Sequence, residues 1–342
     1  MPISLYDTIA LIRVVENLFE PSQFLLDTFF PNTVQSNSEY VALDVFDGRR
    51  RLAPFVNPLQ EGKLVEQLGM STPTFKPPYL KPKVRIDPLR PLRRSMGEPI
   101  GGNMLPVERE AMNLRSELEE QIRMINRRLE WMAARAMSDS AIVVVGEGVP
   151  QTAINFGRNP ALNVVLAGTS RWGQPGVSPI GMIEDWSALT LQTSGFGVTD
   201  VVFTPTAWKY FRNDPRFAQI IQSLVNGIPG LQAAGVGAAA GGQLLGQFGQ
   251  FRLWLYYDFY VDPVDNVQKP VLTDGTVLLG SKAIDGVRAF ATIIDTEVGY
   301  PAIPYAPKSW TTQDPGARWL MTQSAPLVIP SRVNASFSAT VI

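Results

Sequence analysis

Between residues 107 and 136 the apolar side chains Leu114, Leu118, Ile122, Ile125, Leu129, Met132 and Ala136 recur at spacings of 4, 4, 3, 4, 3 and 4. Residues three and four apart share one face of an α-helix, so these seven form a single stripe. Pro106 suits the first turn, and Glu108 and Glu110 favour the positive end of the helix dipole. Arg115–Glu119 and Glu119–Arg123 place opposite charges four apart on the other side. At 1.5 Å per residue such a helix spans about 45 Å. A rod with one apolar stripe must lie along a core, and Leu118, Ile122, Ile125 and Leu129 are its expected buried residues. The alternative, a coiled coil, needs the repeat to continue, and it stops at Ser138-Asp139.

Upstream, Leu5, Ile9, Ile12, Val15 and Leu18 keep helical spacing as far as Pro21. Phe24, Leu25, Leu26, Phe29 and Phe30 make a second apolar run, closed by Pro31. Such segments either pack on their own core or cross to a neighbouring chain. Residues 36–100 differ in character. Strand-like runs at 40–46, 52–56 and 63–68 alternate with Asp47-Gly48 and Glu61-Gly62, a hairpin signal. Pro73, Pro77, Pro78, Pro82, Pro88 and Pro91 follow, each fixing φ and removing a backbone donor. The stretch therefore predicts a long two-stranded excursion with too few apolar residues for a core of its own. Such a ribbon is marginal alone and needs another surface to lie on.

Beyond the helix, 141–145, 151–156, 163–166, 198–203, 277–280 and 287–294 read as strands. Residues 180–193 and the segments opening at Pro205 and Pro215 read as helices. Over 251–261, Phe251, Leu253, Leu255, Tyr257, Phe259 and Val261 alternate with Arg252, Trp254, Tyr256, Asp258 and Tyr260, predicting a half-buried strand with the first set inward. The eight glycines of 227–249 predict a flexible loop. The tail, 319–329 and 334–342, is β-like. The class is α+β, without internal repeat.

Charged residues make up 18 % of the chain, against the usual quarter. Either a large core with polar uncharged loops or extensive contacts between subunits accounts for the deficit. Thirty Lys and Arg stand against 31 Asp and Glu, so no global excess of charge draws the chain to nucleic acid. Histidine and cysteine are absent, which removes disulfides, Cys/His zinc sites, thiol nucleophiles and every histidine-dependent triad. Carboxylate, lysine and tyrosine chemistry stay open. The lack of cysteine fits synthesis in a reducing cytoplasm. No run of about 18 apolar residues exists to span a membrane, and the first residues, MPISLYD, have neither the basic nor the apolar region of a signal peptide.

Possible chemical motifs are weak. Gly235-Val-Gly237-Ala-Ala-Ala240 is a degraded dinucleotide fingerprint without a preceding strand or a following acid. Asp258, Asp262 and Asp265 offer oxygen ligands to a hard cation or simply a solvated turn. Lys76, Lys81, Lys83, Arg85, Arg90, Arg93 and Arg94 form a basic stripe interrupted only by Asp87. It can meet phosphates, pair with carboxylates of a neighbouring subunit, or stay solvated.

Three stretches carry a resemblance: residues 79–88 (YLKPKVRIDP) leading to Leu92-Arg93-Arg94, residues 201–211 (VVFTPTAWKYF), and residues 305–315 (YAPKSWTTQDP) continued by 323–327 (QSAPL). In order and spacing they resemble the coat-protein E family, the major capsid proteins of lambda-like phages. The glycine-rich segment 227–249 departs from the more charged stretch expected there. The resemblance implies the tailed-phage major capsid fold, the Hong Kong 97 type. It implies an N-terminal arm (1–35), an extended E-loop (36–95) and a peripheral domain with the spine helix (96–164). An axial domain (165–296) and C-terminal peripheral strands (297–342) complete it.

The implied function is a non-enzymatic shell subunit forming the pentamers and hexamers of an icosahedral head, without cofactor, metal or catalytic residue. The alternatives are an encapsulin-like cellular compartment and a histidine-independent carboxylate enzyme. Implied partners are further copies of the chain, a scaffold protein, a portal and packaged DNA held on the inner surface without sequence specificity; a decoration protein is left open. No membrane is involved, and the protein belongs to the virion after assembly in the host cytoplasm. The side chains expected to meet neighbours are Phe55, Val56, Leu64, Val65 and Phe75, with Lys81, Lys83, Arg85, Arg93 and Arg94.

Overall fold

A computed structural model of the chain describes residues 8–16, 18, 23–42, 45–46, 52–59, 61–64, 70–71, 74–93, 104–146, 149–214, 216–217, 238–239, 241–313 and 317–342. Its five helices among these are α1 (Thr8–Glu16), α2 (Phe24–Phe29), α3 (Pro106–Ser138), α4 (Pro179–Ser194) and α5 (Pro205–Arg212).

Helix α3 is the axis of the molecule. Its 33 residues extend about 50 Å. Pro106 occupies the first turn, and the Glu108 carboxylate accepts from the Leu105 amide at 3.0 Å. At the other end the Arg158 guanidinium donates to the Met137 and Ser138 carbonyls at 2.6 and 2.5 Å. This satisfies two of the orphan acceptors that any helix end leaves. Burial lowers the Arg158 pKa to about 10. The stripe divides between two cores. Leu114, Leu118 and Ile122 pack with Leu11 and Val15 of α1 and with Leu320. Ile125, Leu129, Met132, Ala136 and Met137 join the largest core, with Phe24, Leu25, Leu26, Phe29 and Phe30.

A seven-stranded mixed sheet forms the second body. Its order is Ala238–Ala239, Gly242–Phe248, Phe251–Tyr256, Asp200–Phe203, Thr276–Gly280, Phe337–Thr340, Asn163–Val165. Asp200–Phe203 runs parallel to Phe251–Tyr256 and antiparallel to Thr276–Gly280. Both central strands are buried at every residue, because both faces are covered. Side-chain alternation sends Val201, Phe203, Val277 and Leu279 to an aromatic core with Trp172, Trp186 and Phe211. Val202 and Leu278 go to the α3 side. The C-terminal strand Phe337–Thr340 lies within this sheet, although its position in the chain groups it with the peripheral strands.

Among the described residues five smaller units complete the architecture, two of them the hairpins Ala141–Gly146/Val149–Asn155 and Phe259–Val261/Gln268–Pro270. Asn32–Gln35, Gly286–Phe290 and Pro326–Pro330 make one three-stranded sheet, and Ala306–Thr312, Ala317–Gln323 and Lys83–Ile86 another. An antiparallel ribbon pairs Val41 with Phe75, Ala42 with Thr74, Val45 with Ser71 and Phe46 with Met70.

Three local expectations change. Residues 242–248, inside the segment read as a flexible loop, are a strand paired with Phe251–Tyr256, bulged between Leu244 and Gly246. Gly242 serves close approach there: a Cβ would stand 2.3 Å from the Phe24 ring. The run 251–261 is not one strand. The ladder ends at Tyr256, the Tyr257 amide turns to the Gly241 carbonyl at 2.7 Å, and Phe259–Val261 pairs separately with Gln268–Pro270. The inward face therefore shifts: Tyr256 is buried, whereas Tyr257 and Val261 are exposed. Residues 52–56 form no strand. Pro54 and Pro58 withhold donors, and among the described residues no partner strand lies alongside. Residues 65–69, and most of the helix expected from Pro215, lie outside the described residues.

Ile122 is buried and Met124, on the opposite face, is 50 % exposed. Ile122→Asp is expected to lower stability by several kcal/mol, since it buries an unpaired charge. Met124→Asp is expected to stay within about 0.5 kcal/mol of the parent. Denaturant unfolding of both variants measures the difference.

Candidate assembly surface

Among the described residues the ribbon carries the most exposed large apolar side chains. Past the Phe46–Met70 pair, Leu52, Phe55, Leu59 and Leu64 are essentially fully exposed, and Val56 is exposed as well. Single exposed apolar residues are ordinary, but several along one segment mark a contact surface. Phe75, at the base, differs. It is half-buried and meets Phe156 edge-on, ring centroids 5.7 Å apart, against its own chain's core. Val65 and Arg94 lie outside the described residues.

The basic stripe does not act as a unit. Lys76 pairs with Glu39 and Arg90 with Glu117, so two of its members find carboxylates within their own chain. Lys81 lies over the Tyr79 ring at 4.7 Å, and Lys83 over Trp319 and Trp310 at 4.1 and 5.0 Å. Arg85 stands opposite Trp319 across the ladder and is exposed, as is Arg93. Trp310 is opposite Trp319 in turn. One face of this sheet therefore shows cations on aromatic rings, contacts worth about 0.5–1 kcal/mol when exposed. The other face turns Leu320 and Ile86 to the α1–α3 core.

Two of the three stretches that carry the family resemblance meet here. Lys83–Ile86 pairs with Ala317–Gln323, which pairs with Ala306–Thr312. A polar network fastens the ribbon base to them. Tyr79 Oη donates to Gln323 Oε1 at 3.0 Å, Gln323 Nε2 donates to Asp295 at 2.7 Å, and Lys308 Nζ meets Asp295 at 3.0 Å and Glu297 at 2.9 Å. Burial would raise the Asp295 carboxyl, but Gln323 and Lys308 outweigh it and hold its pKa below the ordinary value.

The N-terminal segments, read either as packing on their own core or as crossing to a neighbouring chain, are seated on their own chain where they are described. Leu11 and Val15 of α1 fill the groove beside Leu118. Residues 24–26, 29 and 30 are buried in the largest core. Three polar side chains of α3 that the apolar stripe does not reveal hold the surrounding elements. Gln121 accepts from Thr322 Oγ1 at 2.6 Å, Asn126 accepts from Tyr305 Oη at 2.5 Å, and buried Glu130 accepts from Leu25, Leu26 and Tyr256. Only their position on or beside the stripe could have pointed to them.

Nothing in this arrangement resembles a reaction centre. Asp262 and Asp265 both bind Lys269, at 2.6 and 2.7 Å, and so form ion pairs at a turn. Among the described residues no group of three or more acidic, Cys or His side chains could hold a metal ion, and no helix is long and apolar enough to cross a membrane. Of the weak glycine fingerprint only residues 238 and 239 are described, as a short strand.

A long helix beneath a mixed sheet, with an apolar-tipped ribbon projecting from its base, defines the class. This is a shell-forming protein with the Hong Kong 97-type capsid fold. The chain belongs to the phage major capsid protein E family, which it matches over residues 7–341. It is 28 % identical over 330 residues to the major capsid protein of Escherichia phage N15, covering 95 % of this chain and 96 % of that one. Against the major capsid protein of Escherichia phage lambda it is 27 % identical with the same coverage. A crystal structure of a prophage protein from Escherichia coli CFT073, described as a capsid protein, superposes with a TM-score of 0.76 at 22 % identity, covering 98 % and 99 % of the two chains. The capsid of Ralstonia phage GP4 shares the fold with a TM-score of 0.52 at 12 % identity, over 94 % of this chain and 91 % of that one. The chain is thus a major capsid protein of a tailed-phage head, a structural component of the virion that assembles with its own copies. Membership sets aside the cellular-compartment and enzyme readings.

Two substitutions separate surface from scaffold. Phe55→Ser removes no contact within the described chain and is expected to leave its thermal unfolding unchanged within about 0.5 kcal/mol. Asp295→Ala leaves Gln323 Nε2 without its acceptor and takes from Lys308 one of its two carboxylates, and is expected to cost about 1–3 kcal/mol. Differential scanning calorimetry of the unassembled chain compares the two.

Proposed function

We propose that residues 36–95 are the E-loop and that in the head its tip lies on the adjacent subunit. The observation that carries this reading is the exposure of Leu52, Phe55, Leu59 and Leu64 on a ribbon with no core of its own. Burying each such side chain contributes about 1.5–3 kcal/mol. Four of them, together with Val56 and Val65, give the ribbon a reason to be ordered against a neighbour. Lys81, Lys83, Arg85, Arg93 and Arg94 flank it, and carboxylates on the next copy are their proposed partners. Phe75 belongs to the base, where it anchors the ribbon to its own subunit.

The remaining divisions follow the two bodies. Residues 96–164 and 297–342, built on α3 and the C-terminal strands, form the peripheral domain. Residues 165–296, with α4, α5 and most of the large sheet, form the axial domain, and Phe337–Thr340 joins the two by pairing in that sheet. The N-terminal 35 residues act in this proposal mainly as an anchor for α3, because α1 and α2 are seated on it. Pentamers and hexamers would place axial domains around each capsomer centre and E-loops over the seams. A scaffold protein and a portal are proposed as further partners. Packaged DNA, met without sequence specificity, completes the partners.

Deleting residues 49–70 tests the reading. The variant is expected to remain soluble, to keep the circular dichroism of the parent, and to form no shells by electron microscopy. Normal shells from the deleted chain would place the main contacts elsewhere.

A further inference from the structure

Helices α4 and α5 lie on one face of the large sheet, over different strands. Trp186 of α4 stacks on Phe337 of the strand Phe337–Thr340, ring centroids 5.2 Å apart. Phe211 of α5 packs on Phe203 of the strand Asp200–Phe203 at 4.8 Å, and α5 also lies over Phe251–Tyr256. Trp172 fills the space between the helices, 6.1 Å from Trp186 and 6.4 Å from Phe211. In the sheet order Phe337–Thr340 stands two places from Asp200–Phe203 and three from Phe251–Tyr256, or about 10 and 14 Å at roughly 4.8 Å per strand. The two helices therefore form opposite flanks of one layer.

The flanks are unlike in charge. Among the described side chains, the carboxylates with neither a hydrogen bond nor an ion pair are Glu61, Glu184 and Asp185. Glu61 is on the ribbon. Glu184 and Asp185 stand together, exposed, on the solvent face of α4. Ala188 and Leu191, four and seven residues after Glu184, continue that face, and Leu191 is 46 % exposed. Arg216 passes beside Gly181 on the same helix, 3.4 Å from where a Cβ would stand, without pairing with either carboxylate. On α5 Lys209 and Arg212, three apart in the last turn, are exposed and equally without an ion pair among the described residues. Lys81 and Lys83, by contrast, lie over aromatic rings on another sheet. One flank thus offers two free anions and an exposed leucine, the other two free cations. Solvated charges are ordinary on any one helix, but opposite signs on opposite flanks are what a head-to-tail contact requires.

We propose that the α4 flank of one copy docks on the α5 flank of the next, Glu184 and Asp185 meeting Lys209 and Arg212 around a closed ring. The proposal rests on the reading that residues 165–296 surround the capsomer centre. Pairing α4 with α4, or α5 with α5, brings like charges together. Complementarity therefore selects the heterologous arrangement, which repeats around an axis until it closes. Leu191, on the same face of α4 as Glu184, is covered by the same contact.

Charge reversal in the full-length chain tests this. Glu184→Lys with Asp185→Lys, and Lys209→Glu with Arg212→Glu, alter exposed side chains and are expected to keep the circular dichroism of the parent. Each pair is expected to lower the assembled fraction, read by sedimentation and electron microscopy, at least about tenfold. The quadruple variant, with signs exchanged on both flanks, is expected to assemble like the parent. A mixture of the two paired variants is expected to recover six-membered rings and not five-membered ones, since alternation closes only even rings. Should a reversal not fold, Glu184→Gln with Asp185→Asn decides: it removes the charges at nearly constant size, and the salt dependence of assembly is expected to flatten. Parent-like assembly of both reversals would overturn the proposal together with the capsomer-centre reading beneath it. Reversals that block assembly without recovery in the quadruple variant or the mixture would leave that reading standing and overturn the pairing alone, as would an unchanged salt dependence in the neutral pair.

Discussion

The fold depends on the burial of one helix face. The stripe from Leu114 to Met137 faces two cores, one with α1 and Leu320 and one with α2 and the strands beyond. Each buried Leu or Ile contributes about 1.5–3 kcal/mol, so the stripe fixes which face of the 33-residue rod turns inward. Its length also sets the geometry. A helix of about 50 Å reaches from the α1 side to the Arg158 cap. The large sheet, the Gly286–Phe290 sheet and the C-terminal strands all pack against some part of it. Polar residues set among the apolar ones, Gln121, Asn126 and Glu130, fix which element lies where, because each has a specific hydrogen-bond partner.

Against this well-filled interior stands the ribbon. Among the described residues its strands pair only with each other, and its tip presents leucines and a phenylalanine to solvent. A chain with 18 % charged residues and an unpartnered apolar segment is poorly suited to life as a monomer. In the proposed arrangement the same features become interface in a shell. That is why the low charge content, uninformative by itself, gains meaning once the ribbon is located. The base of the ribbon follows the opposite rule. Tyr79, Gln323, Asp295 and Lys308 fix it rigidly to its own subunit, so a free tip extends from a fixed root.

Much of this was legible in the sequence. The α3 periodicity gave a helix within two residues of the observed ends, because a 3.6-residue repeat over so many turns has no competing explanation. The ribbon was readable from its prolines and turns, although no strand forms at 52–56, where Pro54 and Pro58 withhold donors. Less legible were the features that tertiary contact decides. The glycines of 242–248 signal flexibility on composition, yet Gly242 is there because Phe24 occupies the space a side chain would need. Alternation over 251–261 fails after Tyr256 because the chain changes partner, which no local pattern records. Glu130 and Arg158 carry no sequence signal of burial. Their burial follows from helix ends that need acceptors and donors, and those ends are met only in three dimensions.

The central claim is that the ribbon tip is covered by an adjacent copy in the head. The chain contains no cysteine, so Phe55→Cys supplies a single thiol at the tip. Maleimide labelling of that thiol should proceed at the rate of a free thiol in the unassembled chain and slow by orders of magnitude in intact shells. Equal labelling in both states would contradict the account.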